Sequence, residues 1–166
     1  ISSKQAAGYS DFIKILNDRW GGMRVDVASV NVQGSEAPDQ IIRALNYFNT
    51  QEELCDVVVI VRGGGSADDL SAFNDEQLVR AIASSRIPIL TGIGHEVDMS
   101  LCDMVADMRA STPSNAAQIV VPNRHDIISS TKMQVQSLIP KVMITVEKIR
   151  QYVGDNVDDS VSVVSR

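Results

Sequence analysis

The chain has 166 residues with 21 acidic against 15 basic side chains and a net charge of -6, which excludes a generally basic nucleic-acid binder; any polyanion must be held at a local basic site. Hydrophobic residues make up 44% and aromatic residues 4%, enough for a sizeable core but not for an evident base-stacking platform. No apolar run is long enough to span a membrane, no secretory signal is visible, and Cys55 and Cys102 lack metal-ligand spacing; the two thiols read as small buried hydrophobes in a reducing, cytoplasmic compartment.

Ile1-Ser2-Ser3-Lys4 reads as the tail of a strand, and a start at Ile1 without methionine is expected of a piece of a longer chain. Ala6 to Trp20 has helical spacing, with Phe12, Ile13, Leu16 and Trp20 on one side, and Gly21-Gly22 stops it. Val25 to Val32 predicts a strand, Gln33 to Asp39 a loop, and Gln40 to Asn49 a helix with Ile41, Leu45 and Phe48 inward. Asp56 to Val61 is a β-branched run that predicts a buried strand. Glu76 to Ser85 predicts a helix with Leu78, Val79 and Ile82 inward, and Ile87 to Ile93 the last clear strand. Met99 to Met108 predicts a helix with Leu101, Met104 and Val105 in step, and Thr112-Pro113-Ser114 opens one more.

Strands alternating with helices predict an α/β fold: an open, mainly parallel sheet with helices on both faces and right-handed crossovers, over residues 1–122. From residue 123 the character changes to a C-terminal amphipathic helical extension. Leu138, Val142, Val146, Ile149 and Val153 form an apolar stripe there, suited to a partner or to packing on its own domain. Pro140 is expected to kink or break this helix, and Asp155 to Asp159 to be solvated.

Two glycine clusters carry the chemistry. Arg62-Gly63-Gly64-Gly65-Ser66 follows the first buried strand directly. Glycines let the backbone turn sharply and approach a ligand; a strand-to-helix turn of this kind points N–H groups at an anion. Asp68 or Asp69 can cap the helix that follows. Arg62 adds a planar fork of donors that matches phosphate oxygens. Gly92-Ile93-Gly94-His95-Glu96-Val97-Asp98 follows the next strand and puts His95 on a turn. Histidine titrates near neutrality and suits proton transfer; the only other one is His125. Asp98, three residues on, could orient the ring or simply cap a helix. In an open parallel sheet all carboxyl ends face one side, so Arg62 and His95 are expected to converge on one crevice.

Taken together, Val61-Arg62-Gly63-Gly64-Gly65-Ser66, Phe73-Asn74-Asp75-Glu76, Ile93-Gly94-His95-Glu96-Val97-Asp98, Val105-Ala106-Asp107-Met108-Arg109-Ala110 and Thr112-Pro113-Ser114-Asn115-Ala116-Ala117 resemble the catalytic domain of the large subunit of exodeoxyribonuclease VII in order and spacing. The resemblance covers the chain to about Pro122 and is weaker beyond it. It implies hydrolysis of single-stranded DNA from either end to release oligonucleotides, in DNA degradation and repair. It also implies an N-terminal OB-fold outside this chain and a C-terminal helical region that recruits a small subunit into a hetero-oligomer. The family's catalytic positions fall on Asp11, Arg62, His95 and Asp98, with Gly63, Gly64, Gly65, Ser66 and Arg109 as phosphate or DNA contacts. The spacing from Asp11 to Arg62 includes one extra residue relative to the family pattern, the Lys4–Gly8 loop departs from it at Gln5 and Gly8, and Ser111 stands where a proline is common.

In the mechanism this implies, Arg62 and the N–H groups of Gly63 to Ser66 stabilise charge building on the phosphoryl oxygens. His95 either activates water or protonates the leaving oxygen, and Asp98 or Asp11 holds its ring. No cofactor is expected to be required. Magnesium is the competing expectation, with Asp11, Asp98 and Asp103 as ligands, Glu96 near by, and Asp103 and Asp107 sharing a helix face. A kinase-like phosphate- or nucleotide-binding domain and a non-catalytic scaffold are the alternatives from other classes.

Overall fold

The computed structural model describes residues 1–63, 67–94 and 98–164. The run Val57-Val58-Val59-Ile60-Val61 is β-branched throughout, which stiffens χ1 and favours extended backbone. Strand β1, Val58–Val61, forms there and pairs in parallel with β2, Ile89–Gly92, placing Val58 opposite Ile89 and Val61 opposite Gly92. A two-residue strand β3, Met108–Arg109, adds to the other edge of β2, also in parallel, with Arg109 opposite Thr91. On the free edge of β1, the Val61 N–H donates to the Ile1 carbonyl at 3.1 Å and Ser2 makes a single parallel bridge to Ser29.

Successive strand side chains point to opposite faces, and the cores divide accordingly. Val58, Ile60 and Ile89 enter one cluster with Ile41, Phe73 and Leu78. Val61 and Leu90 enter another with Phe12, Leu16, Ala116 and Ala117. The first face is covered by α2 (Ala37–Asn49), a 3-10 segment (Ala67–Asn74), α3 (Glu76–Ala83) and α4 (Leu101–Val105); the second by α1 (Ala7–Arg19) and α5 (Pro113–Val120). The open α/β sheet with helices on both faces is therefore the architecture. Local chemistry sets the helix ends. The Asp75 carboxylate accepts from the Leu78 N–H at 3.0 Å to start α3, and Thr112 caps α5 with Pro113 in its first turn.

Several expected elements differ. The strand predicted over Val25 to Val32 is reduced to the Ser2–Ser29 bridge, because extended residues with one bonded partner make no ladder. Helix α2 begins at Ala37, inside the predicted loop, since Pro38 is tolerated in a first turn. Asp68 and Asp69 fall within the 3-10 segment, and it is Asp75 that caps a helix. The helix predicted over Met99 to Met108 ends at Val105 and the chain extends into β3. Its inward face is also reversed: Cys102 and Asp103 are buried, while Leu101 and Met104 are 46% and 66% exposed. Cys55, expected inside, is exposed, whereas Cys102 is buried as expected.

The described chain divides into two compact units at Asn123. The second holds α6, Arg124–Val164, which runs through Pro140 without an assigned break. In it Leu138, Val142, Val146, Ile149 and Val153 are each more than half exposed. No helix among the described residues is long and apolar enough to cross a membrane.

Candidate functional site

Arg62 follows β1 directly and is 4% exposed, an unusual burial for a guanidinium. Its backbone N–H donates to the Gly92 carbonyl at 3.2 Å, so the two glycine turns start side by side at the carboxyl end of the sheet. The next residue, Gly63, faces the first turn of α1: a Cβ there would lie 3.1 Å from the Gly8 nitrogen and 3.4 Å from that of Ala7. From the other side, a Cβ on Gly8 would lie 2.8 Å from the Arg62 carbonyl oxygen, the Gly63 Cα and the Pro113 side chain. Two backbones thus meet where Gly8 has no room for a Cβ and one on Gly63 would press on its neighbours.

Helix α1 begins at Ala7, after Ala6, with no side-chain cap and no acidic residue in its first turn. A helix start carries a partial positive charge on N–H groups that lack intrahelical partners. Next to it lies a cleft of about 340 Å³ lined by Ser3, Gln5, Ala6 and Ala7 before and at α1, Asn31 to Gln33, and Arg62 with Gly63. Positive groups from β1 and α1 therefore share one concave surface, which suits an anionic ligand.

Asp11 is exposed on α1, one turn beyond this end. Asp98 is half-buried; its carbonyl accepts from Arg109 Nη2 at 3.4 Å. The same carbonyl stands so close to Gly94 that a Cβ at 94 has no room. Asp103 is 6% exposed and forms a capping box at the start of α4, its Oδ2 accepting from the Ser100 N–H at 3.0 Å and hydroxyl at 2.8 Å. Arg109 Nε lies 3.9 Å from that same oxygen. Gly64, Gly65, Ser66, His95 and Glu96 lie outside the described residues.

Asp107 is not on a helix face with Asp103: it lies beyond the end of α4 and accepts the Ile89 N–H at 2.7 Å, at the amino end of β2. Among the described residues no three His, Cys, Asp or Glu side chains gather so as to hold a metal ion. Beside Asp103, burial pushes the Cys102 thiol up to about 12, with the Asp103 and Asp75 carboxylates adding to the effect. At neutral pH that thiol is protonated and unreactive.

Gly8, Ala7, Asn31 and Gln33 were not among the expected site residues; the Val32-Gln33-Gly34 loop shared the family resemblance, and Gly8 stood out only as a departure from it.

Fold and site together define an open-sheet α/β domain with a buried arginine and an uncapped helix start lining a cleft at the carboxyl ends of its strands. A family model described as exonuclease VII, large subunit, matches residues 1–162. The exodeoxyribonuclease 7 large subunit of Hamiltonella defensa is 44% identical over 151 residues, covering 91% of this chain and 34% of that protein. Its counterparts from Carboxydothermus hydrogenoformans and Klebsiella pneumoniae subsp. pneumoniae are each 44% identical, over 84% and 83% of this chain and 29% and 30% of theirs. The chain belongs to the exonuclease VII large subunit family, and it spans about a third of the length of these relatives.

Proposed function

We propose that this domain is the hydrolytic part of a large subunit that cleaves phosphodiester bonds in single-stranded DNA, working from either end and releasing oligonucleotides, as part of DNA degradation and repair in the cytoplasm. The observation that carries the reading is the buried Arg62 beside the interlocked Gly8 and Gly63 turns, lining a cleft with the uncapped start of α1. The names of the relatives, exodeoxyribonuclease 7 large subunit, support the same chemistry.

A phosphodiester under attack by water gathers negative charge on its phosphoryl oxygens. Donors already fixed in place stabilise that charge without reorganising. Arg62, with N–H groups of the Gly63 turn and of α1, takes this role. His95 carries the proton, and Asp98 or Asp11 sets its ring. A neutral histidine is both donor and acceptor, so one residue can serve either the attacking water or the leaving oxygen.

The exposed stripe on α6 is the surface for a helical small subunit, in keeping with the words large subunit in the relatives' names. Packing such a stripe against a second helix removes apolar area from water at about 25 cal/mol per Å².

The test uses the full-length protein with its small subunit and end-labelled single-stranded and duplex DNA. Reactions run in excess EDTA and again with magnesium restored, with His95→Ala alongside. Short oligonucleotides from single strands in EDTA, lost in the variant, are expected. Products that need magnesium would move the carboxylates from orienting to ligating roles. No products in either condition would overturn the nuclease reading.

A further inference from the structure

Asp103 has so far appeared as a helix cap, and Arg109 as an arginine on a two-residue strand. Their geometry joins them. The Asp103 side chain is 1% exposed and that of Arg109 22%, with Nε 3.9 Å from Oδ2. A carboxylate this deeply buried requires compensation. It has two Ser100 donors on one oxygen and a guanidinium beside it. Arg109 is itself fixed to the sheet: its Cα partners Thr91, and the next residue's N–H donates to the Thr91 carbonyl at 2.7 Å.

From that anchored position Arg109 Nη2 donates to the carbonyl of Asp98. Across the same carbonyl stands the Cα of Gly94, two residues past the end of β2, with no space for a Cβ between them. Gly94 and Arg109 thus meet at one oxygen atom, the Asp98 carbonyl, and the hydrogen bond on it comes from Arg109.

We infer that Asp103 and Arg109 form a positioning pair: Asp103 orients and neutralises the guanidinium, and the guanidinium pins the Asp98 carbonyl against Gly94 and so sets the place of Asp98. This deepens the proposed nuclease mechanism and rests on it. It assigns Arg109 to the protein's own backbone and not to a DNA phosphate. The pair acts through Asp98 without touching substrate. Displacing a reacting group by about 1 Å can cost roughly a hundredfold in rate.

The test is Arg109→Lys, which keeps the charge and loses the planar fork, with Asp103→Asn as a second variant that keeps an acceptor for Ser100 and loses the charge. Both are made in the full-length protein with its small subunit. For Arg109→Lys a fall in kcat of about a hundredfold is expected, with KM on single-stranded DNA and its salt dependence unchanged. Asp103→Asn is expected to lower kcat in the same direction. Hydrogen exchange, read by mass spectrometry at residues 94–98, should quicken in both variants while β1 and β2 stay protected. A raised KM with a salt slope reduced by about one would overturn the inference, because it marks a lost phosphate contact. Unchanged exchange at residues 94–98 would overturn it as well. The exchange arm needs no turnover, so a wild-type protein without nuclease activity would sink the nuclease reading and still decide whether the pair holds Asp98.

Discussion

At the amino end of β2 the polar groups serve the fold. Asp107 accepts the Ile89 N–H at 2.7 Å, and Asn49 Oδ1 accepts that of Arg86 at 2.8 Å. Both close off backbone donors that the start of a strand would otherwise leave open. At the carboxyl end of the same sheet the arrangement is costlier. A guanidinium is buried at Arg62, two backbones are pressed together at Gly8 and Gly63, and the Asp98 carbonyl is wedged against Gly94. Buried charge and tight backbone approach do not add stability by themselves. Their concentration at one end of the sheet sets that end, the one proposed to act on DNA, apart from the other, where polar groups close the fold.

The comparison can be broken in three places. The largest effect is expected from Arg62→Lys, which keeps the charge and removes the fork. Single-turnover cleavage of labelled single-stranded DNA should slow on the order of a hundredfold or more. An unchanged rate would remove Arg62 from the scissile phosphate. Next is Gly8→Ala, whose new methyl would meet backbone atoms of Arg62 and Gly63 at 2.8 Å. Overpacking of this kind costs about 1 to 3 kcal/mol, read by urea denaturation, and should reduce turnover of the fraction that remains folded. Full activity would mean that α1 and β1 need not touch. The smallest is Asp107→Ala, which leaves the Ile89 N–H without its acceptor. Stability should fall by about 1 to 2 kcal/mol with kcat unchanged; a loss of kcat would tie the amino end to the chemistry and erase the distinction between the two ends.

Much of this was legible in the sequence for a physical reason. β-branched runs followed by glycines report a buried strand and a turn through local forces alone, and those forces also place the turns on one side of a parallel sheet. Arg62, Gly63, Gly94 and Asp98 could be located in that way. Gly8 could not, because its role is a contact with Arg62, Gly63 and Pro113, and closeness across the chain leaves no periodic trace. Asp107 was misplaced because Asp103 and Asp107 have helical spacing, yet the helix between them stops at Val105. The apolar spacing of Leu101, Met104 and Val105 suggested an inward face, but the Ser100–Asp103 capping box turns Cys102 and Asp103 inward instead. A β3 of two residues is too short for any pattern to announce.

The interlock at Gly8 has a consequence in time. It needs residues 8, 62, 63 and 113 together, and the far end of α1 is tied by Arg19 to the Val121 carbonyl, 102 positions further along. Closing so long a loop costs entropy that only late contacts repay. The segment from β1 through α3 to β2 can assemble from near neighbours, whereas the cleft exists only once Ser3 to Ala7 and Asn31 to Gln33 have docked beside Arg62 and Gly63. Its appearance during refolding is thus a clock for the whole domain: binding competence should arrive with the slowest folding phase and vanish with the earliest unfolding one.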